Sequence, residues 1–209
     1  MNTQKPDSVT LAITGASGAP YALRLLECLI QNDVHTYLMV SQPGQVVLSM
    51  ETDLQAPSRP KELQAFFSER FNAAQGQLEV FGKDQWTAPI ASGSGVADSM
   101  VICPCTAGTL SAVACGSSNH LIERAADVTI KEQRRLIMVV REMPFSAIHL
   151  ENMLKLARLG VIIMPANPGF YHQPESIDDL VDFVVARILD QLGIEQTLLE
   201  TWGGQDGTD

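Results

Sequence analysis

From Ser8 to Thr14 the chain reads Ser-Val-Thr-Leu-Ala-Ile-Thr, a short run rich in apolar and β-branched residues. Such a run predicts a buried strand. Gly15 to Pro20 interrupts it, and Ala22, Leu25, Leu26, Leu29 and Ile30 then recur at helical spacing. Asn32-Asp33 marks a turn, and Val34 to Val40 predicts a second strand ending at Ser41. This strand–helix–strand unit is the opening of a parallel sheet. The pattern weakens over 43–90. There Gln55 to Lys61 predicts a surface loop, Glu62 to Phe71 a short helix, and Gly82 to Pro89 an exposed loop carrying Trp86. Met100 to Cys103 predicts a strand stopped by Pro104, and Thr106 to Cys115 a helix of small, tightly packed residues. Leu136 to Val140 and Val161 to Met164 predict strands, with a helix over Ser146 to Leu159 between them. The clearest helix carries one apolar stripe: Ile177, Leu180, Val181, Val184, Val185, Ile188, Leu189 and Leu192.

Alternating strands and helices predict a three-layer α/β fold, a mostly parallel sheet with helices on both faces. The 209 residues suit one domain over 1–209, with a tail from about 193 that is polar except for Leu198, Leu199 and Trp202. The formal charge of −10 argues against general nucleic-acid binding and against docking on anionic lipid. An anionic ligand would need a local cluster of donors. No apolar stretch has the length of a membrane span, and the polar start Met1 to Asp7 has no apolar signal core. Cys28, Cys103, Cys105 and Cys115 form no C-x-x-C pair, which argues against zinc and disulfides and suggests a cytoplasmic setting.

Ligands of such folds sit beyond the carboxyl ends of the strands. Gly15-Ala16-Ser17-Gly18 ends a strand and opens a helix, where N–H groups and the helix dipole favour an anion. Its G-x-x-G spacing is neither the dinucleotide fingerprint nor a P-loop, and a plain strand-to-helix turn accounts for it equally well. Ser41 stands where a NAD-binding fold would place an acid, which fits a mononucleotide such as FMN better. Its bland reading is a helix cap. Ser92 to Gly95 and Thr106-Ala107-Gly108-Thr109 are two further small, hydroxyl-rich stretches, the second again opening a helix. Cys103 and Cys105 read more simply as packing groups than as catalytic thiols.

Arg124, Lys131, Arg134, Arg135 and Arg141 put five of the 14 cations within 18 residues. Glu123, Asp127, Glu132 and Glu142 are interleaved, so a salt-bridged face competes with a phosphate site, and is the better reading for Arg134 and Arg135. Arg141-Glu142 differs because it ends a strand: Arg can clamp phosphate, and a carboxyl beside phosphate can act as an acid. Asp178-Asp179-Leu180-Val181-Asp182 has the letters of a magnesium–diphosphate signature. Ser176 and Asp179 at a helix start explain it better as a capping pair. The four histidines have no metal-ligand spacing, and no G-x-S-x-G elbow is present.

The ordered set of motifs resembles the flavin prenyltransferase family, the UbiX-type proteins. It comprises Ile13 to Tyr21, Glu51-Thr52-Asp53, Cys103 to Thr106, Arg124 to Val128, Lys131-Glu132, Val140 to Pro144, Met164 to Ala166 and Gly169 to His172. The resemblance covers about Leu11 to Leu192. It implies a Rossmann-like or flavodoxin-like subunit assembled into a homododecamer. The implied reaction is metal-independent transfer of a dimethylallyl group from dimethylallyl phosphate to N5 and C6 of reduced FMN. The implied product, prenylated FMN, serves UbiD-type decarboxylases, as in ubiquinone biosynthesis. Carried over by position, Gly15, Ala16, Ser17, Ser41, Thr106, Ala107, Gly108, Thr109 and Arg141 are FMN contacts. Arg124, Lys131, Glu142, Tyr171 and Arg187 belong to the prenyl-phosphate site, with Trp86 and Trp202 as aromatic walls. Ser17, Glu51, Lys131 and Glu142 are the implied catalytic residues. Two rivals remain: an FMN-dependent cysteine-type decarboxylase of the same fold, and a non-catalytic FMN carrier.

Overall fold

A computed structural model of the chain describes residues 4–199. Six parallel strands form one sheet in the order β3-β2-β1-β4-β5-β6. They are β1 (Ser8–Ile13), β2 (His35–Val40), β3 (Leu78–Phe81), β4 (Ser99–Cys105), β5 (Arg135–Val140) and β6 (Ile162–Pro165). The strand order reverses between β1 and β4, so their carboxyl ends diverge to leave a crevice. The seven helices among the described residues are α1 (Ala19–Gln31), α2 (Gln42–Glu51), α3 (Pro60–Arg70), α4 (Ala107–Ala114), α5 (Leu121–Lys131), α6 (Ala147–Arg158) and α7 (Ile177–Leu192).

Strand alternation divides the apolar residues between two clusters, one on each face. Val9, Leu11 and Ile13 of β1 join Val101, Ile137 and Val139 under α1, α3 and α7. Met100 and Ile102 join Leu136, Met138 and Val140 under α4, α5 and α6. This is the expected three-layer arrangement. The α1–α7 seam also carries a half-buried ion pair, Arg24 Nε to Asp182 Oδ1 at 2.7 Å.

Four stretches differ from the sequence reading. β4 does not stop at Pro104 but continues to Cys105. The register shifts between Ile102 and Cys105, and the Cys103–Pro104 peptide is cis. Proline is tolerated there because the ladder is already irregular. Residues 42–51 form a helix, started by Ser41 and Pro43, and Leu78–Phe81 add a short edge strand. Residues 121–131, which carry part of the interleaved charge, are the amphipathic helix α5, with Leu121, Ile122, Ala125, Ala126 and Val128 buried. The predicted capping role of Ser176 is present: its hydroxyl accepts from Asp179 N, and the Asp179 carboxylate accepts from Ser176 N.

Candidate functional site

The first lip of the crevice is residues 14–18, leaving β1. Gly15 lies hard against α2: a Cβ there would sit 2.4 Å from Pro43 Cβ. Gly18 caps α1 with φ of 124°, a conformation that L side chains rarely adopt. The N–H groups of Gly18 and Ala19 are not open to a ligand. Both donate to Glu51 Oε2 at 2.8 Å, so the end of α2 supplies the carboxylate that the start of α1 attracts. Burial pushes the Glu51 pKa up, but hydrogen bonds from Ser17, Gly18 and Ala19 outweigh it, aided by Arg141, and hold it below the ordinary value. Glu51 thus lies beside Ser17, on the adjacent loop, and feels the charge of Arg141, on the loop after β5.

The second lip opens α4. Thr106 is its N-cap: its hydroxyl accepts from Thr109 N at 3.0 Å and lies 2.9 Å from Thr109 Oγ1. The N–H groups of Ala107 and Gly108, in the first turn, point out of the helix start as donors. Thr14, at the end of the first strand and within the Ile13 to Tyr21 motif, ties the two lips together. Its buried hydroxyl donates to Pro104 O at 2.7 Å and accepts from Thr106 N at 3.0 Å. Ser41 takes the capping role, accepting from Gly44 N at 3.0 Å, while its own N–H donates to Ile13 O.

The third group lies on the loops after β5 and β6. Arg141 N donates to Cys105 O, which seats its side chain at the same edge as Thr106. Its Nε is buried and has no hydrogen-bond partner in the chain. A buried guanidinium donor without a partner at the strand tips is a feature that a phosphate-bearing ligand satisfies. Glu142 is half-buried and accepts from Met143 N at 3.2 Å. Tyr171, His172 and Phe183 form a three-ring cluster, with the His172 ring stacked on Phe183 at 5.2 Å and edge-on to Tyr171 at 5.8 Å. Both His172 ring nitrogens are buried without hydrogen-bond partners.

The remaining candidates stand apart within one chain. Leu121 N donates to Lys83 O, and Arg124 Nε donates to Ala91 O at 3.0 Å, so the loop after β3 runs down along α5. Lys131 ends that helix. It pairs with Glu132 against Gly93, three residues before Arg134, which pairs with Asp98 just ahead of β4. Lys131 therefore sits toward the amino edge of the sheet, opposite the crevice. Arg187 lies well along α7, paired with Asp190 at 2.6 Å. Trp86 is about half exposed on the loop after β3. Trp202 lies outside the described residues.

Cys103 and Cys105 are fully buried, and burial pushes both thiols well above their ordinary pKa, which keeps them as packing groups. Among the described residues no group of three or more His, Cys, Asp or Glu is placed to hold a metal ion. No described helix is long and apolar enough to cross a membrane.

Comparison with known proteins bears on this geometry. A profile of the Flavoprotein family matches residues 1–189. The chain is 59% identical over 200 residues to the flavin prenyltransferase UbiX of Pseudomonas aeruginosa, covering 96% of each protein. It superposes on the structure of AnUbiX (PadA1) in complex with FMN and dimethylallyl pyrophosphate with a TM-score of 0.84. That match has 37% identity and covers 97% of this chain and all of the other. A dodecameric FMN-dependent UbiX-like decarboxylase from Escherichia coli O157:H7 superposes with a TM-score of 0.82 at 39% identity, covering 94% of this chain and all of that one.

Proposed function

We propose, because this chain belongs to the flavin prenyltransferase family, that it transfers a dimethylallyl group from dimethylallyl phosphate to reduced FMN. The chain is a transferase with a Rossmann-like, flavodoxin-like subunit. The observation that carries the finer reading is the junction of Ser17, Glu51 and Arg141 at the sheet's reversal point. There a hydroxyl–carboxylate pair lies near an arginine whose buried Nε has no hydrogen-bond partner. Reduced FMN supplies the nucleophilic N5 and C6 atoms at which the new bonds form.

The residues present fit that ligand. Gly15, Ala16 and Ser17 on one lip and Thr106 to Thr109 on the other offer backbone and hydroxyl donors, and Arg141 offers the charge. Ser41 shapes the wall between them through the start of α2. For the second ligand, phosphate leaves only if its charge is neutralised and a proton arrives. Arg124, Lys131 and Arg187 supply charge in this reading, Tyr171 a hydroxyl, and the Glu142 carboxyl the route for the proton. Glu51, held ionised by three donors, orients the Ser17 hydroxyl for the proton released at the flavin edge. Trp86 adds an aromatic face that shelters positive charge on the allyl group. Trp202 is assigned the same role by resemblance alone.

One chain does not bring Lys131 or Arg187 to the crevice. A neighbouring subunit completes the site in this proposal, and the assembly is a homododecamer like the UbiX-like relative. Exposed apolar side chains beside the crevice support an interface there, among them Met143, Ile148, Phe170 and Ile177. The prenylated FMN is passed to a UbiD-type decarboxylase in ubiquinone biosynthesis, in the cytoplasm.

Anaerobic incubation with reduced FMN and dimethylallyl phosphate, followed by mass spectrometry of the flavin, tests the reaction. A flavin heavier by one five-carbon prenyl unit is expected. Unchanged flavin on FMN-loaded protein would overturn the transferase chemistry and leave the FMN-carrier reading standing.

A further inference from the structure

We infer that Thr14 is a positioning residue for the flavin site: its hydroxyl sets the gap between the two lips without touching a ligand. This rests on the FMN reading above. Thr14 is 2% exposed, so the side chain itself is closed to anything in the crevice. It stands at the position where the sheet reverses direction, one residue past β1.

The need for a side chain here comes from the strand beside it. β1 and β4 pair regularly through Ala12 and Ile102. Beyond that pair β4 shifts register against its other neighbour, β5. The backbone bond from Thr14 N to Pro104 O is 3.3 Å, long for an amide hydrogen bond. The Thr14 hydroxyl reaches the same carbonyl at 2.7 Å and accepts from Thr106 N at 3.0 Å. One hydroxyl thus uses its donor on Pro104, in β4, and an acceptor site on Thr106, the N-cap of α4. Pro104 has no N–H to offer in return. The first residue of α4's cap is thereby held to the end of β1.

Residues 13–15 also anchor the loop after β2. Ile13 O accepts from Ser41 N at 2.9 Å, and Gly44 lies so close that a Cβ would be 2.7 Å from that oxygen. Gly15 abuts Pro43. Residues 13–15 are therefore a hub for three strand tips, and Thr14 is its side-chain link to Thr106. Removing the hydroxyl leaves the partly buried Thr106 N–H without its partner, and the loop must move to satisfy it. That movement carries Ala107, Gly108 and Thr109 away from Gly15 to Ser17.

Thr14→Val keeps the shape and deletes the hydroxyl; Thr14→Ser keeps the hydroxyl and deletes the methyl. FMN affinity of the full-length protein is read by flavin fluorescence, and steady-state turnover by the prenylated product. Thr14→Val is expected to weaken FMN binding about tenfold, the effect of losing one buried hydrogen-bond partner. Its KM for reduced FMN should rise while its KM for dimethylallyl phosphate stays put. A merely structural defect would instead lower kcat through the folded fraction. Thr14→Ser should bind FMN as the parent does. Parent-like affinity in Thr14→Val overturns the inference. So does a loss in Thr14→Ser, which remains decisive if the valine variant fails to fold. Failure of the parent itself to bind FMN would sink the FMN reading instead.

Discussion

Glu51 shows how much one side chain can settle locally. Its carboxylate accepts the N–H groups of Gly18 and Ala19 and a hydrogen bond from Ser17. Because these hold its pKa below the ordinary carboxylate value of 4.5, the native state binds that proton less readily than the unfolded chain. The resulting stability is full above pH 4.5 and is lost as pH falls through the lower, folded value. Glu51→Gln should therefore flatten the fall in urea midpoint across the acid range and leave the midpoint at pH 8 less favourable than the parent's. An acid limb as steep as the parent's would show that the carboxylate is not so held. Gly15→Ala probes the other side of the same loop. Its new Cβ would meet Pro43 at 2.4 Å, and a proline ring in a helix start has little room to yield. A loss of about 1–3 kcal/mol in denaturant-derived stability is expected, the usual cost of overpacking.

Elements were legible where two signals agreed. α7 has an apolar stripe and a capping box, and both are present in the structure. Ser176→Ala should cost about 1 kcal/mol, measured by thermal or denaturant unfolding. Asp179, held below its usual pKa by Glu175 N, Ser176 N and the Ser176 hydroxyl, should make that cost larger above pH 4 than below it. Where signals conflicted, tertiary context decided. α5 has a buried apolar face, but Arg124, Asp127, Lys131 and Glu132 on its other side made 121–131 read as a charge cluster. β3 is four residues long on the sheet edge, too short for an alternation to stand out. Pro104 reads as a strand terminator, yet the irregular end of β4 accommodates it.

At the scale of the whole molecule, the separation of the charges is the instructive feature. Lys131 belongs to the amino edge of the sheet and Glu142 to the carboxyl edge. Lys131→Ala and Glu142→Gln should each retain FMN and lose turnover. If neighbouring subunits build the site, co-expressing the two variants forms mixed oligomers in which about a quarter of sites regain both groups. Recovered prenyl transfer in the mixture is the expected result; an inactive mixture would mean that both residues serve the same subunit's site.

The amino-acid sequence by itself determined the α/β class, the first lip from Gly15 to Gly18, the α7 cap and the ordered motifs that resemble flavin prenyltransferases, because these are local patterns of period, turn chemistry and spacing. Only the tertiary structure decided which strand tips meet. It brought Glu51 onto the start of α1, seated Thr14 between Pro104 and Thr106, left Arg141 Nε unsatisfied, and carried Lys131 to the far edge. Those relations join residues up to about ninety positions apart along the chain. They depend on the 3-2-1-4-5-6 order of a parallel sheet, which is set by how two opposed helical layers bury their apolar faces and not by any local run of residues.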